Sequence, residues 1–498
     1  MPNVQYQRLE LADMLAIYEF IRDIMAGQHC MQEAGTKYLP KINPTDASAE
    51  NTARNAAYLE RAIFYNFTTR TVRGLVGAIF LREPVIELPE LLQPLLLDAD
   101  GNGLTLTQLC KLACGHVLPY GRGGLLTDYP DRGGQTTTLA EIKSGQVHPT
   151  ITFYSPWDII NWRSSDDESA PSNLNLVVLR ESYDNDVDGF ETRSYSQYRE
   201  IRIVDGKVRV TIWRPESIDP NGRATKQYGI YQEYFILGGN GEPLTEIPFM
   251  FLGSENNDPK IDYPPIYDLA VVNLGHWRNS ADYEESCFMV GQPTPVAIGL
   301  TEDWVDNYLN RRLDLGSRAV IPLPVGADAK LLEASPNTLA FEAMKHKEEQ
   351  ARKLGAKLIE ERKVEKTATE AEIDSGSENS VLMDVVVNVQ KGFVTCLQWA
   401  ANFVGANSDE IIFKLNDNFD LTGLTAEEVR WLIELVQSET PLLVMEEARV
   451  VLRRSGLATL PFDEFITQVQ ADKPIKDALV PEHLKPKAPA ETKPTNER

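Results

Sequence analysis

Positive charge is what this sequence is short of. Lys and Arg number 49 against 73 Asp and Glu, a formal net charge of −24 at pH 7. So acidic a chain excludes general polyanion binding, and any contact with nucleic acid has to be local and weak. Cysteine is scarce too. Cys30, Cys110, Cys114, Cys287 and Cys396 are odd in number and scattered, which excludes a disulfide framework. No apolar run approaches the roughly 18 residues of a membrane span, and Met1 to Glu10 has no apolar signal core, so a soluble, cytosol-made protein with no membrane partner is expected. The six histidines (His29, His116, His148, His276, His346 and His483) stand in no H-E-x-x-H pattern. There is no G-x-S-x-G elbow, Walker loop or dinucleotide fingerprint, so no catalytic residue, resident metal or cofactor is assigned and a non-enzyme is expected.

What is present is ordinary globular material. With 42% hydrophobic residues the 498-residue chain can bury a sizeable core, and its length suggests about three domains. Residues 8 to 80 read mostly as helix; within them Glu50 to Phe80 carries Ala53, Ala57, Leu59, Ile63, Phe64, Phe67, Val72 and Leu75 at helical spacing. Pro84, Pro89 and Pro94 break the pattern before a short helix from Leu106 to Val117. Cys110 and Cys114 lie at i,i+4 on that helix with His116 nearby, but no second ligand pair is close, so buried small hydrophobes are the reading. Gly121-Arg-Gly-Gly124 and Gly133-Gly134 lack the Lys-Ser/Thr of a phosphate loop and read as hinges or turns.

Two stretches open like calcium loops, Asp98-x-Asp100-x-Asn102-Gly103 and Asp184-x-Asp186-x-Asp188-Gly189. Both fail at the twelfth position, where Leu109 and Tyr195 replace the bidentate acid, and both read as plain turns. Asp166-Asp167-Glu168 is the best carboxylate group for two-metal chemistry, yet it lies in a Ser-rich loop where solvated charge is the default.

From Ile151 to Gly253 the period changes to two, which predicts an antiparallel sheet region. Ile201, Ile203, Asp205-Gly206, Val208, Val210 and Ile212 spell a hairpin, and Gly238 to Gly241 marks another reversal. Trp157, Trp162, Trp213, Tyr228, Tyr231, Tyr234 and Phe235 lack basic company, so sheet packing is a better reading than base stacking. Pro264-Pro265 starts a helix through Met289, with Leu269, Val272, Trp277 and Ala281 on one side. Pro293 to Ser335 reads as a small inserted αβ unit: strand Val296 to Leu300, helix Glu302 to Arg311, and strands Ala319 to Leu323 and Ala329 to Glu333.

The chain is organised around Asn337 to Gly405. The first helix there, to about Arg362, has a narrow apolar stripe (Met344, Ala351, Leu354, Leu358) and the acid-before-base pairs Glu348 with Arg352 and Glu349 with Lys353. From Lys345 to Lys366 there are eight Lys/Arg against five Glu. In so acidic a protein, that basic rod either faces something anionic or lies solvated beside its own glutamates. After an irregular connection from Lys363 to Gly376, a second helix carries Val381, Leu382, Val385, Val386, Val389, Phe393, Cys396, Leu397, Ala400 and Val404, closed by Gly405. Thr425-x-x-Glu428 is a capping box, Thr440-Pro441 opens a further helix to Gly456, and another begins after Pro461. The proline-rich remainder from Pro474 reads as a disordered tail.

The order of these elements resembles the portal proteins of tailed bacteriophages, in particular a branch in podovirus-like genomes carrying a domain of formerly unknown function. The motifs that carry the resemblance are Tyr120-Gly-Arg-Gly-Gly-Leu-Leu-Thr-Asp-Tyr-Pro130, Trp157-Asp-Ile-Ile-Asn-Trp-Arg163, Glu246-Ile-Pro-Phe-Met-Phe-Leu-Gly253, Pro264-Pro-Ile-Tyr-Asp-Leu269, Gly291-Gln-Pro-Thr-Pro295 and Lys366-Thr-Ala-Thr-Glu370. The resemblance implies an α+β, elongated, multidomain subunit. It has a wing at 1–263, helical in its N-terminal part and then antiparallel sheet, stem helices at 264–289 and 336–362, a clip at 290–335 and a tunnel loop at 363–376. A long amphipathic wing helix and return follow at 377–420, then a helical crown at 421–471 and a disordered tail at 472–498.

Such proteins form dodecameric rings at one capsid vertex of the virion, assembled in the host cytoplasm. Their partners are double-stranded DNA in the channel, the terminase large subunit, adaptor and tail proteins, and the major capsid and scaffolding proteins. The DNA-tunnel candidates are Lys345, Lys347, Arg352, Lys353, Lys357, Arg362, Lys363, Lys366, Thr367, Thr369 and Glu370. The alternatives are a metal-dependent hydrolase using Asp166, Asp167 and Glu168 or the Asp184 to Asp188 loop, and a non-ring scaffold or minor head protein sharing only the sheet region.

Overall fold

A computed structural model of the chain describes residues 3–129, 141, 147–164, 174–186, 189–219, 222–239, 241–291, 294–307, 323–332, 338–358, 380–416 and 419. The chain divides into two units, Met1–Asp417 and Asn418–Arg498. Apart from residue 419 the second lies outside the described residues, as do the expected crown helices and tail. The first unit is α+β, a mixture of helices and antiparallel sheet.

Five helices come first: α1 (Leu9–Ala26), α2 (Gln28–Ala34), α3 (Ala49–Arg61), α4 (Phe67–Ile79) and, after the short strand β1 (Val85–Glu87), α5 (Leu106–Tyr120). The helical pattern expected from Glu50 to Phe80 is two helices. Asn66 interrupts it because its side chain accepts the Thr69 N–H at 3.0 Å and so starts α4 afresh. Ile63 of the interruption, counted in the sequence as part of the apolar stripe, is 57% exposed. A Thr105–Gln108 capping box opens α5. Asp98 Oδ1 accepts the N–H groups of Gly101 and Gly103, and Asp100 Oδ1 those of Asn102 and Leu104, so the first acidic loop directs these oxygens at its own backbone.

Gly121 ends α5 with φ +67°, and the chain enters strand β2 (Arg122–Asp128) at once. The glycine cluster is therefore a turn only at Gly121. Gly123 and Gly124 lie in the central strand of an antiparallel sheet, between β3 (Thr150–Tyr154) and the later strand Phe249–Gly253. They are glycine because rings occupy the space. A Cβ on Gly123 would fall 2.7 Å from Phe153 Cε2, and one on Gly124 would collide with the Phe249 ring and lie 2.9 Å from Ile159 Cδ1.

The period-two stretch folds as a five-stranded antiparallel meander of β4 (Ile159–Ser164), β5 (Leu174–Asp186), β6 (Thr192–Val204), β7 (Lys207–Pro215) and β8 (Tyr228–Phe235), in sequence order. Asp205 and Gly206, with φ of +50° and +73°, make the tight turn between β6 and β7. Ile160, Leu176, Val178, Tyr198 and Trp213 cluster on one of its faces. β9 (Phe249–Gly253) returns to the three-stranded sheet. Charge fastens the two sheets together. Arg199 on β6 bonds Asp128 of β2 at 2.6 Å and Glu181 of β5 at 2.7 Å, and Tyr154 of β3 donates to the same Glu181 at 2.6 Å.

Next come α6 (Tyr267–Gly291), β10 (Thr294–Ile298), α7 (Glu302–Asn307), β11 (Asp328–Leu332), α8 (Leu339–Lys357) and α9 (Val381–Val404). β10 and β11 pair antiparallel, and the middle strand expected at 319–323 lies almost wholly outside the described residues. α9 is capped by Ser380 and by Gly405 at φ +68°, and buries Val385, Val386, Val389, Phe393, Cys396, Leu397 and Ala400 against β2, β9 and α5. The Val385 to Val389 run, rich in β-branched residues, is helix as its period predicts. Gly392 lets Leu252 of β9 sit against the helix backbone, and Asn388 Nδ2 donates to Gly253 O at 3.1 Å. β12 (Ile412–Lys414) closes the unit by pairing with β1.

Candidate nucleic-acid interface

The basic rod of the sequence is one arm of a helical hairpin. Along α6 and α8, Tyr283 meets Phe341 (ring centroids 5.7 Å apart), Asn279 meets Lys347 (2.6 Å) and His276 meets Glu348 (3.3 Å), so the helices run antiparallel. The body-side half of α6 buries Leu269, Ala270, Asn273, His276, Trp277, Ser280 and Ala281. Beyond Ala281 none of its residues is buried, and Phe288 and Met289 are exposed. Helix α3 braces this stretch: Glu285 pairs with Arg54 at 3.2 Å and with Arg61, and Tyr58 donates to Asp282 at 2.6 Å.

Helix α8 is held at its end by Leu358, whose carbonyl accepts the Leu382 N–H at 3.1 Å, and Gly355 there faces Thr71 of α4, where an added Cβ would come within 3.4 Å. Its inward stripe is Ala340, Met344, Lys347, Ala351, Leu354 and Leu358. Lys347 fills the gap that the sequence reading left between Met344 and Ala351. Its stem lies over Gly275, where a Cβ would come within 2.9 Å of Cε, and its ammonium donates to Asn279.

The other basic candidates are disposed differently. Lys345 Nζ stands 4.3 Å over the Phe341 ring. Lys353 pairs with Glu349 at 3.1 Å, both well exposed, as the i,i+4 spacing predicts. The companion pair Glu348 with Arg352 does not form; Glu348 turns to His276, and Arg352 is exposed. Lys357 is the last residue of α8, while Arg362, Lys363, Lys366, Thr367, Thr369 and Glu370 lie outside the described residues.

His276 is 2% exposed in its side chain, and its Nδ1 has no partner among the described residues. Burial lowers its pKa below the usual imidazole value, and the Glu348 contact opposes this only in part. The neutral ring donates from Nε2 to Glu348. In the sequence His276 stands in no motif, and local spacing singles out none of Gly275, Asn279 and Arg70. The available signal was polarity inside the α6 period, with Asn273, His276 and Ser280 on the face that also carries Trp277.

Among the described residues no three His, Cys, Asp or Glu side chains gather as a metal site. Asp184 pairs with Ser194 in the β5–β6 ladder and Asp186 accepts the Gly189 N–H at 2.6 Å; Asp188 and Asp166 to Glu168 lie outside the described residues. Cys110 and Cys114 are fully buried. Among the described residues no helix is long and apolar enough to cross a membrane.

Residues 265–404 match the model of a domain of unknown function, DUF4055. That span opens just before α6 and closes on the last residue of α9, so it covers the hairpin, its insert and the buried helix. No curated protein matches the sequence. Among solved structures, the chain is similar to one from the neck of an empty GTA particle computed with C6 symmetry, at 15% identity and a TM-score of 0.41, covering 79% of this chain and 91% of the other. It is also similar to a chain from the virion of the native gene transfer agent particle (14%, TM-score 0.38, covering 86% and 99%) and to one from the native neck computed with C12 symmetry (14%, TM-score 0.40, covering 85% and 98%).

Proposed function

We propose that the chain is a portal-type subunit: a structural, non-catalytic protein that forms a ring at one vertex of a phage-like capsid and conducts double-stranded DNA during packaging and ejection. The observation that carries this reading is the α6–α8 hairpin, which holds the β10–α7–β11 unit between its arms and is followed by the buried α9. In this reading α6 and α8 are the stem, β10–α7–β11 is the clip where adaptor or tail proteins and the terminase dock, α9 is the wing helix, and 363–376 and 421–471 are tunnel loop and crown.

Charge supports it. A body of −24 per chain repels DNA, while a few exposed cations on α8, repeated around a ring, supply limited phosphate contacts. Affinity and salt sensitivity both grow with the number of phosphates neutralised, so a conduit works best with few. Native mass spectrometry with negative-stain images tests the proposal. A ring of about a dozen chains with an axial hole is expected, and a monodisperse monomer at high concentration overturns it. In assembled particles, replacing Lys353 and Lys357 with Glu should preserve rings and lower packaged DNA.

A further inference from the structure

We propose that a cleft between α4 and α8, walled by Arg70 and Arg352, binds phosphates of the DNA backbone. Helix α4 contains two arginines, Arg70 and Arg73, and no acidic residue in a chain otherwise rich in acids. It is fixed to α6, where Asn273 accepts from both the backbone N–H (3.1 Å) and the hydroxyl (2.8 Å) of Thr68, and Gly355 of α8 stands opposite Thr71, with room for little more than a methyl between them.

Between α4 and α8 lies an open cleft of about 280 Å³. Tyr65 and Phe67 form one side, Ala351 the other, and Arg70, Arg352 and Glu348 line it. Neither guanidinium makes an ion pair with any described residue. Among the described residues Arg70 Nη1 donates only to the Tyr65 hydroxyl, at 3.2 Å, and both arginines are exposed. The one carboxylate in the wall, Glu348, faces His276 at 3.3 Å.

Two guanidiniums carried on separate helices and lining one cleft offer it planar, forked donors, the geometry in which Arg surpasses Lys toward a tetrahedral anion. The occupant follows from charge and openness. Unpaired cations on an acidic body favour a polyanion, and an open cleft admits a phosphate still attached to its chain. The choice of DNA rests on the conduit reading; the cleft itself rests on Arg70, Arg352 and the bonds from Thr68 to Asn273 that set α4 beside the hairpin.

The test is fluorescence anisotropy of a labelled duplex of about 30 base pairs with the full chain, between about 20 and 200 mM salt, where each lost phosphate contact lowers the salt slope by roughly 0.9. Arg70→Gln and Arg352→Gln are each expected to weaken binding about 3- to 10-fold and lower the slope by about one. Arg223→Gln, an exposed arginine of the meander, should leave both unchanged. Near-UV circular dichroism checks that the exposed substitutions leave the fold intact.

Unchanged affinity and slope in both cleft variants overturn the proposal, as does a wild-type chain that binds no duplex at the lowest salt. Full displacement of the duplex by inorganic phosphate at constant ionic strength overturns DNA as occupant. Imaging the same samples separates this proposal from the ring. Rings without a cleft effect defeat the cleft alone, whereas a cleft effect without rings supports the cleft and defeats the portal reading.

Discussion

Lys347 Nζ donates to Asn279 Oδ1 at 2.6 Å across the α6–α8 hairpin, and its alkyl stem covers Gly275. One of the basic residues of α8 is thereby committed to holding the two helices together. A tunnel-facing role would have to break that bond, so the exposed residues Lys345, Arg352 and Lys353 are the better candidates for contact with an anion.

Lys347→Ala should cost about 1–2 kcal/mol, from the lost bond and stem packing, whereas Lys347→Met, which keeps the stem, should cost roughly half as much. Lys353→Ala, which removes only an exposed ion pair, should stay within about 0.5 kcal/mol. Urea denaturation checks the ranking; equal effects of Lys347→Ala and Lys353→Ala would refute the strut.

His276 makes stability depend on pH. Its folded pKa is lowered from 6.5 because burial disfavours the imidazolium, so below pH about 6.5 the unfolded chain binds the proton that the folded chain refuses. Stability should therefore fall as pH drops from 6.5 toward the folded pKa and level off below it. His116, also lowered by burial, adds in the same direction. Midpoints measured from pH 7.5 to 5 should show a shallower loss in His276→Gln, and an unchanged profile would count against this origin.

Glycine substitutions should have opposite signs at two positions. Gly124→Ala in β2 drives a methyl into the Phe249 ring and toward Ile159, and should destabilise by about 1–3 kcal/mol. Gly74→Ala on the exposed face of α4 meets nothing within 4 Å and should stabilise by about 0.5–1 kcal/mol. Thermal melts of the two variants check the signs.

Arg199→Met should destabilise by about 2–4 kcal/mol, because it leaves Glu181 and Asp128 charged and largely buried without their cation. Burial pushes the Glu181 carboxyl up, but Arg199, Tyr154 and Gln197 outweigh it and hold it below the usual range. That contribution is present above the ordinary carboxylate pKa and lost as pH falls through the lowered one. Acid titration of the variant should show Glu181 titrating higher; if it does not move, Arg199 is not what holds it down.

The α+β class, the Asp205-Gly206 hairpin, the capped helix from Val381 to Val404 and the burial of Cys110 and Cys114 were legible in the sequence. Each depends on residues close in the chain, where periodicity, capping and turn preference act. The strand at Gly123 and Gly124 was not legible, because what demands glycine there is the arrival of Phe153, Ile159 and Phe249 from other strands. Nor was the division of labour along α8. Spacing does not distinguish its five cations, and only the tertiary arrangement gave Lys347 to Asn279, turned Glu348 from Arg352 to His276, and set Arg70 and Arg352 on one cleft. Local pattern determined which segments are helix or strand and that the charge on α8 is anomalous. Tertiary structure decided which charges remain available, because that depends on partners far away in the chain.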